Sequence, residues 1–552
     1  MFSQIKERHL HKIRWILTIG WLLLIASLFY DPISARLTQT NALFGSVTNT
    51  CYKFQGECQI MRPYPMGARI FWGMVVPASI LILIIFGHEA WRRICPLSFL
   101  SQIPRALNWQ RKKVIPENSW LGRNHLYFQF ALLFIGLNVR LLLVNSDRFL
   151  LGIFLLFTIV CAILVGFLYE GKTWCQYFCP MAPVQMIYSE PSGLFGSVAH
   201  TAKPKTITQS MCRTVDAGEK DKSVCVACKS NCIDIDAEHS YWENIRREDR
   251  RLLYYAYVGL AIGFYIYFGL YSGNWQFLSG AVWQETNQLG TLFEPGFYLN
   301  ERAIGIPKIF AVPLTLTAFS VTTYIIGLRL EKAYRNFWQR KRKPLPLEQL
   351  RHHTFSVATF IAFNCLFFLG IYPTLGWLPG IVANVITWSA IAISSLWLAK
   401  AWNRNAEKYT RERNGHLLRR QLKKLTVNFS SYLNDRTLED LNPDELNALS
   451  IVMPNFTNQY RLEIYAGMVA DAIEQRNVSV AGSLREFHSL RKQLGIDDGD
   501  HCAVLEQLRI QKPQLFSKTR LFDVCDEDLT VIKSPKKSNR DDITIVRPRS
   551  SK

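Results

Sequence analysis

Residues 148–180 read RFLLGIFLLFTIVCAILVGFLYEGKTWCQYFCP, and two kinds of order are legible in that one stretch. From 149 to 169 there is no charged side chain, and at 1.5 Å per helical residue about 20 such residues cross the roughly 30 Å of a hydrocarbon bilayer core. Immediately afterwards comes TWCQYFCP, with Cys175 and Cys179 placed where the chain leaves the membrane and Pro180 closing the segment.

Outward from this stretch the same apolar length recurs. Runs at 15–30, 70–88, 126–144, 148–169, 252–271, 307–329, 354–373 and 378–401 predict eight transmembrane helices, making the first 401 residues an all-α polytopic bundle. Composition agrees: 49% hydrophobic and 13% aromatic against only 19% charged, below the roughly 25% charged of soluble domains. A mean hydropathy of +0.04 then averages two unlike parts. This profile excludes a disordered chain, a collagen and a disulfide-stapled miniprotein. The first run follows KERHLHKIR but exits through FYDPISA, without the small-x-small site of a cleaved signal peptide, and is read as a retained helix.

The net charge of +21 is read as cytoplasmic loops facing anionic lipid rather than as a nucleic-acid surface. Lys and Arg crowd the N-terminus, the 89–125 loop, 170–251 and EKAYRNFWQRKRK after the sixth run, whereas 272–305 holds only Arg302. Both termini are therefore expected in the cytoplasm of a bacterial inner membrane protein. The expected divisions are 1–169 with four helices, a cysteine-rich cytoplasmic segment at 170–251, four more helices in 252–401, a soluble helical domain at 402–525 and a flexible basic tail at 526–552. In the helical domain, Asn442-Pro443 with Glu445 reads as a capping box, Gly495 as a helix stop, and IDDGD at 496–500 as a helix cap, since it lacks the spacing and central glycine of a calcium loop.

The topology sorts the thirteen cysteines. Cys161 and Cys365 lie in apolar helices, and Cys502 and Cys525 in the helical domain; all four are read as small buried hydrophobes. Cys51 and Cys58 share the first external loop and are expected to pair, for about 2.5 kcal/mol. The other seven, Cys95, Cys175, Cys179, Cys212, Cys225, Cys228 and Cys232, all fall on the expected cytoplasmic side, where a reducing compartment argues for thiolates around a metal rather than disulfides. SVCVACKSNCIDID sets Cys225, Cys228 and Cys232 in a Cys-x2-Cys-x3-Cys run, while RRICPL and TWCQYFCP each end a helix on Cys-Pro. A four-cysteine zinc site from Cys212, Cys225, Cys228 and Cys232 satisfies the same spacing. A thioredoxin-like pair in VCVACK lacks the βαβ setting it needs.

With a second Cys-Pro at an earlier membrane exit and a cysteine-rich loop, residues 70–245 resemble the membrane-bound polyferredoxins of the NapH/NosR/CcoG type. The resemblance implies [4Fe-4S] clusters held beside membrane helices and an electron relay between redox partner proteins, with a soluble or quinone donor. Departures are specific. Trp91 stands where a first cysteine would precede Cys95, the loop run has three cysteines and is followed by Ile233 rather than proline, and SGAV at 279–282 is not a flavin-attachment sequence. Seven thiolates are one short of two four-cysteine clusters. One cluster is expected, on Cys225, Cys228 and Cys232 with Cys179 or Cys212, and Cys95 and Cys175 are assigned to a possible second.

His88 and His125, at cytoplasmic helix ends, are candidates for a haem or quinone contact but read more simply as interfacial groups. Arg140 is expected to snorkel outward. The stretch LLYYAYVGLAIGFYIYFGLYSGNW is assigned to interfacial belt and helix packing. No acidic residue falls centrally in a span, which argues against an ion-coupled transporter. An electron-transfer subunit is favoured over an enzyme with its own substrate; the competing reading is a zinc-stabilised membrane scaffold that recruits a partner through its helical tail.

Overall fold

The computed structural model describes the chain except for residues 1–4, 39–50, 61–62, 146, 197–211, 216–220, 227–231, 276–286, 425–435, 453–457, 475–486 and 514–552. Cys228, Cys525, the SGAV stretch and the basic tail therefore lie outside the described residues. Met1–Arg413 form one compact unit and Asn414–Lys552 a second.

Among the described residues, eight helices of the first unit are long and apolar enough to cross a membrane: α1 (Glu7–Phe29), α2 (Gly67–Leu100), α3 (Trp120–Val144), α4 (Arg148–Leu168), α5 (Glu248–Ser272), α6 (Lys308–Arg340), α7 (Leu347–Leu375) and α8 (Gly380–Trp402). Each coincides with one of the eight apolar runs, no run reaching more than two residues beyond its helix. Several overrun them, α2 most; in α6 the Arg- and Lys-rich end EKAYRNFWQR continues the helix to Arg340.

The α5 helix occupies the middle of the unit, 72% buried along its apolar window where α8 is 17% buried. Its glycines explain how. A Cβ on Gly259 would fall 2.1 Å from the Phe319 carbonyl oxygen of α6, and one on Gly263 2.9 Å from the Phe319 Cβ. Small residues four apart let two backbones approach closely, which is the means by which helices associate in lipid, where apolar burial gives no preference between them. Tyr254, Tyr255, Tyr257, Tyr265, Tyr267 and Tyr271 are buried, with Tyr254 stacked on Phe355 of α7 at 4.2 Å and the Tyr188 hydroxyl 3.3 Å from that of Tyr257. The aromatic stretch is thus interior packing; the interfacial-belt part of the expectation does not hold, because α5 is ringed by other helices.

Arg140 also departs from expectation. Its guanidinium lies 3.5 Å from the Trp72 ring centre and 4.4 Å from that of Phe264, over aromatic faces instead of reaching outward. The π-helical turn Arg140–Val144 re-aims the side chain, and two ring quadrupoles stabilise the cation.

Connections alternate between the two ends of the bundle. At one end the hairpin of β1 (Cys51–Phe54) and β2 (Glu57–Ile60) meets the end of α5, with Gln55 N donating to Ser272 O at 2.9 Å and Asn274 Nδ2 to Lys53 O at 2.8 Å. At the other end, Gln102 Nε2 donates to Gly171 O at 3.2 Å, Arg247 Nη2 to Arg123 O at 3.0 Å and Arg404 Nε to Glu238 Oε1 at 2.6 Å. The hairpin Cys51–Ile60 thus lies at the end opposite Gln102, Gly171 and Glu238.

The second unit has its own apolar core, including Leu418, Tyr465, Met468, Leu490 and Leu505. Its boundary lies at Asn414 rather than near 402, because the first turns of the helix Ala406–Leu422 belong to the membrane unit: Tyr409 Oη donates to Asp236 Oδ2 at 2.8 Å. The local punctuation reads as expected. Asn442 N donates to Glu445 Oε2 at 2.7 Å and Glu445 N to Asn442 Oδ1 at 2.9 Å, a reciprocal capping box on Pro443–Val452. Gly495 is left-handed at φ +68° after His488–Leu494, and Asp497 caps Asp498–Gln511. Cys58 is disulfide-bonded, in keeping with its expected pairing; the Cys51 side chain is outside the described set. Cys502 is disulfide-bonded too, which corrects its reading as a plain buried hydrophobe.

A candidate metal centre at the basic end of the bundle

Two Cys-Pro dipeptides adopt one backbone conformation. Cys95 has φ −57°, ψ 118° and Cys179 φ −64°, ψ 119°, because the proline ring that follows clashes with a helical conformation in the preceding residue. Each cysteine closes the helix before it, Cys95 N donating to Trp91 O and Cys179 N to Trp174 O, both at 2.8 Å. Pro96 then opens the short helix Pro96–Leu100, while Pro180 leads through a turn into Ala182–Ser189. The two sulfurs are thereby fixed on bent segments at the same end of the bundle.

A glycine sets the approach of Cys95. Gly87, at φ +75°, breaks α2, and the Ile84 and Ile85 carbonyls it frees accept from Leu194 N at 2.9 Å and Phe195 N at 2.6 Å. The chain at 193 comes so close that a Cβ on Gly193 would lie 2.3 Å from Gly87 N. Helix then resumes with His88 and Arg92 on one face, four residues apart.

That face meets Asp234. His88 Nε2 lies 3.0 Å from Asp234 Oδ1, Arg92 Nη1 donates to Oδ2 at 3.3 Å, Gln176 Nε2 donates to Oδ2 at 3.3 Å and Lys172 Nζ stands 3.9 Å away. All five residues are buried. Burial by itself would raise the Asp234 carboxyl, but the Arg92 and Lys172 charges and the His88 hydrogen bond outweigh it and hold the group well below the usual carboxylate range.

The thiols surround this network. Gln176 Nε2 also lies 3.2 Å from Cys232 Sγ, and Cys175 Sγ is 3.4 Å from Ser98 Oγ. Arg92 is near enough for Cys175, Cys232 and Cys179 each to act on its charge, and Cys179 is within electrostatic reach of both Cys175 and Cys95. Burial pushes the Cys179 thiol far up, with its two neighbours adding to the rise, so without a cation to bind it keeps its proton.

Of the seven cysteines singled out in the sequence, then, the structure gathers Cys95, Cys175, Cys179 and Cys232. Cys212 and Val224, next to Cys225, are joined through the backbone. The hairpin of β3 (Arg213–Val215) and β4 (Asp221–Ser223) sets Cys212 O to accept from Val224 N at 3.1 Å. Cys228 is outside the described residues. Soft thiolates are the right donors for iron–sulfur or zinc, yet among the described residues no three His, Cys, Asp or Glu side chains converge on a point that would hold a metal ion. The donors fit such a group in kind and in neighbourhood without forming a closed ligand shell.

His125 does not join them: its Nδ1 lies 3.0 Å from Gly122 O and its ring is edge-on to Tyr177. Sequence reasoning passed over Arg92, Lys172, Gln176 and Asp234. Arg92 in RRICPL and Asp234 in CIDID adjoin cysteines, but nothing in their spacing signals that a buried acid and base would meet across 142 residues.

Comparison of the chain with protein-family models, with curated proteins and with solved structures finds no match.

Proposed function

We propose that the chain is a membrane-bound electron-transfer protein that holds a [4Fe-4S] cluster at the basic end of its helix bundle, taken as cytoplasmic. The observation that carries this reading is that four thiols from three separate segments, Cys95, Cys175 with Cys179, and Cys232, lie in the neighbourhood of the buried cation Arg92, without closing on one point. These four are the preferred ligands of the first centre, with Cys212, Cys225 and Cys228 left for a second. A bound cluster supplies one-electron transfer with little rearrangement, its potential tuned by burial and by hydrogen bonds to sulfur.

The chain's own residues have definite tasks. Pro96 and Pro180 hold two sulfurs on bent backbone. Arg92 offsets anionic sulfur inside a low-dielectric site. Gln176 donates toward the Cys232 sulfur, and Asp234 keeps Arg92, His88 and Lys172 in place. Redox partner proteins and a soluble or quinone donor are the partners this reading calls for.

Anaerobic purification with iron, acid-labile sulfide and zinc analysis tests it. About four irons per chain, a broad brown absorption that bleaches on reduction and loss of most iron in Cys179→Ser are expected, with Cys365→Ser in α7 unchanged. Stoichiometric zinc without sulfide in protein never exposed to air would refute the relay and favour a zinc-stabilised scaffold.

A further inference from the structure

Adjoining the thiols, and sharing Cys175, Gln176 and Arg92 with their surroundings, lies a cavity of about 280 Å³ between the ends of α2, α3 and α5 and the Ala182–Ser189 helix. At about 30 Å³ per water this is room for some nine waters, enough for a small organic group. Its wall carries four arginines, Arg92, Arg123, Arg247 and Arg250, against one carboxylate, Glu117. Three of them are partnered from behind: Asp234 holds Arg92, Asp249 holds Arg247 and Glu190 holds Arg250.

Those pairings leave donors over. Gln129 is 1% exposed, Arg92 3% and Arg250 2%, and Gln129 Nε2, Arg92 Nε and Arg250 Nε find no acceptor among the described residues. Buried N–H groups are normally satisfied, since an orphaned one forfeits its hydration without return. Three at one cavity, with exposed Arg123 and Arg247 at its mouth, require an occupant rich in acceptor oxygens. Arginine edges suit the paired oxygens of a phosphate. Leu126, Met186 and Ile233 make part of the wall apolar, and the cavity lies at the bundle end where headgroups sit.

We infer that this cavity binds a phosphate oxyanion, the phosphodiester of an anionic lipid headgroup or a soluble phosphate, through Gln129, Arg92 and Arg250 with Arg123 guarding the entrance. Nothing in the inference depends on a metal being bound at the thiols.

The full chain, freed of lipid in a neutral maltoside detergent, is titrated with phosphatidylglycerol, with diacylglycerol of the same chains, and with sodium phosphate. Native mass spectrometry reads adducts and a melting curve reads stabilisation. Phosphatidylglycerol should bind and diacylglycerol should not. Gln129→Leu, which breaks no hydrogen bond, and Arg123→Gln should each weaken binding about tenfold, while Arg329→Gln, exposed and away from the cavity, should leave it unchanged. Sodium phosphate that displaces the lipid with the same variant dependence assigns the site to the soluble anion. Equal binding of diacylglycerol, equal loss in all three variants, or no binding of either phosphate probe in variants that melt like the parent overturns the inference. Iron content in the same samples reports separately on the metal proposal.

Discussion

Replacing Asp234 with Asn removes one buried charge while keeping shape and most hydrogen-bonding capacity. Arg92 stands 3.3 Å and Lys172 3.9 Å from the carboxylate. At an effective dielectric of 20 those separations correspond to attractions of about 5 and about 4 kcal/mol, before the cost of desolvating the ions. The net loss is smaller than the gross attraction, and breaking a buried pair by removing one partner costs roughly 3–5 kcal/mol because the other charge stays buried. For a unit the size of Met1–Arg413 that is a fall in melting temperature of roughly 3–6 °C. Thermal unfolding of Asp234→Asn and the parent in the same detergent, followed by tryptophan fluorescence, measures it. The pH dependence has a definite sign. The folded-state carboxyl lies below its ordinary value of 3.8, so the stabilisation is fully present above that value, and the difference between parent and variant shrinks as pH falls below it. A shift under 2 °C near pH 7 would mean that the network is hydrated and does not hold a buried charge, and Asp234 would lose its place as the residue positioning Arg92.

Gly259→Leu should prevent α5 from seating on α6, costing about 3 kcal/mol or more, with loss of monodisperse protein on gel filtration. Gly136→Leu, whose Cβ meets nothing within 4 Å, should be tolerated. His501 is fully buried with Nδ1 2.7 Å from Tyr465 Oη, and burial lowers its pKa from 6.5 to about 4. The second unit should therefore lose about 3 kcal/mol between pH 6.5 and 4, with stability fully present above 6.5; faster proteolysis of residues 488–511 at pH 5 than at pH 7.5 checks this. A cysteine introduced at Ser551 should resist an impermeant maleimide in intact cells, and labelling there would reverse the orientation and remove the reducing compartment from the metal argument.

Membrane crossings are legible in the sequence because lipid leaves a chain few options: every backbone group must be satisfied within the helix, and about 20 apolar residues announce that locally. All eight helices follow from this, as do the capping box at Asn442, the stop at Gly495 and the bent Cys-Pro pairs, each governed by its neighbours in the chain. Tertiary structure decided what depends on distance. The run Cys225, Cys228, Cys232 looks like one pocket in sequence, yet Cys232 lies beside Gln176 of another segment, and Cys95 arrives from a helix end more than a hundred residues earlier. The position of Arg140 near a helix end suggests the interface, but Trp72 and Phe264 come from other helices and hold it inward. The pairing of Asp234 with Arg92 could not be read along the chain, since neither side chain has a local reason to be buried. Each becomes tolerable only when folding presents the other, because a lone charge in a low dielectric is far costlier than one whose partner offsets part of its desolvation.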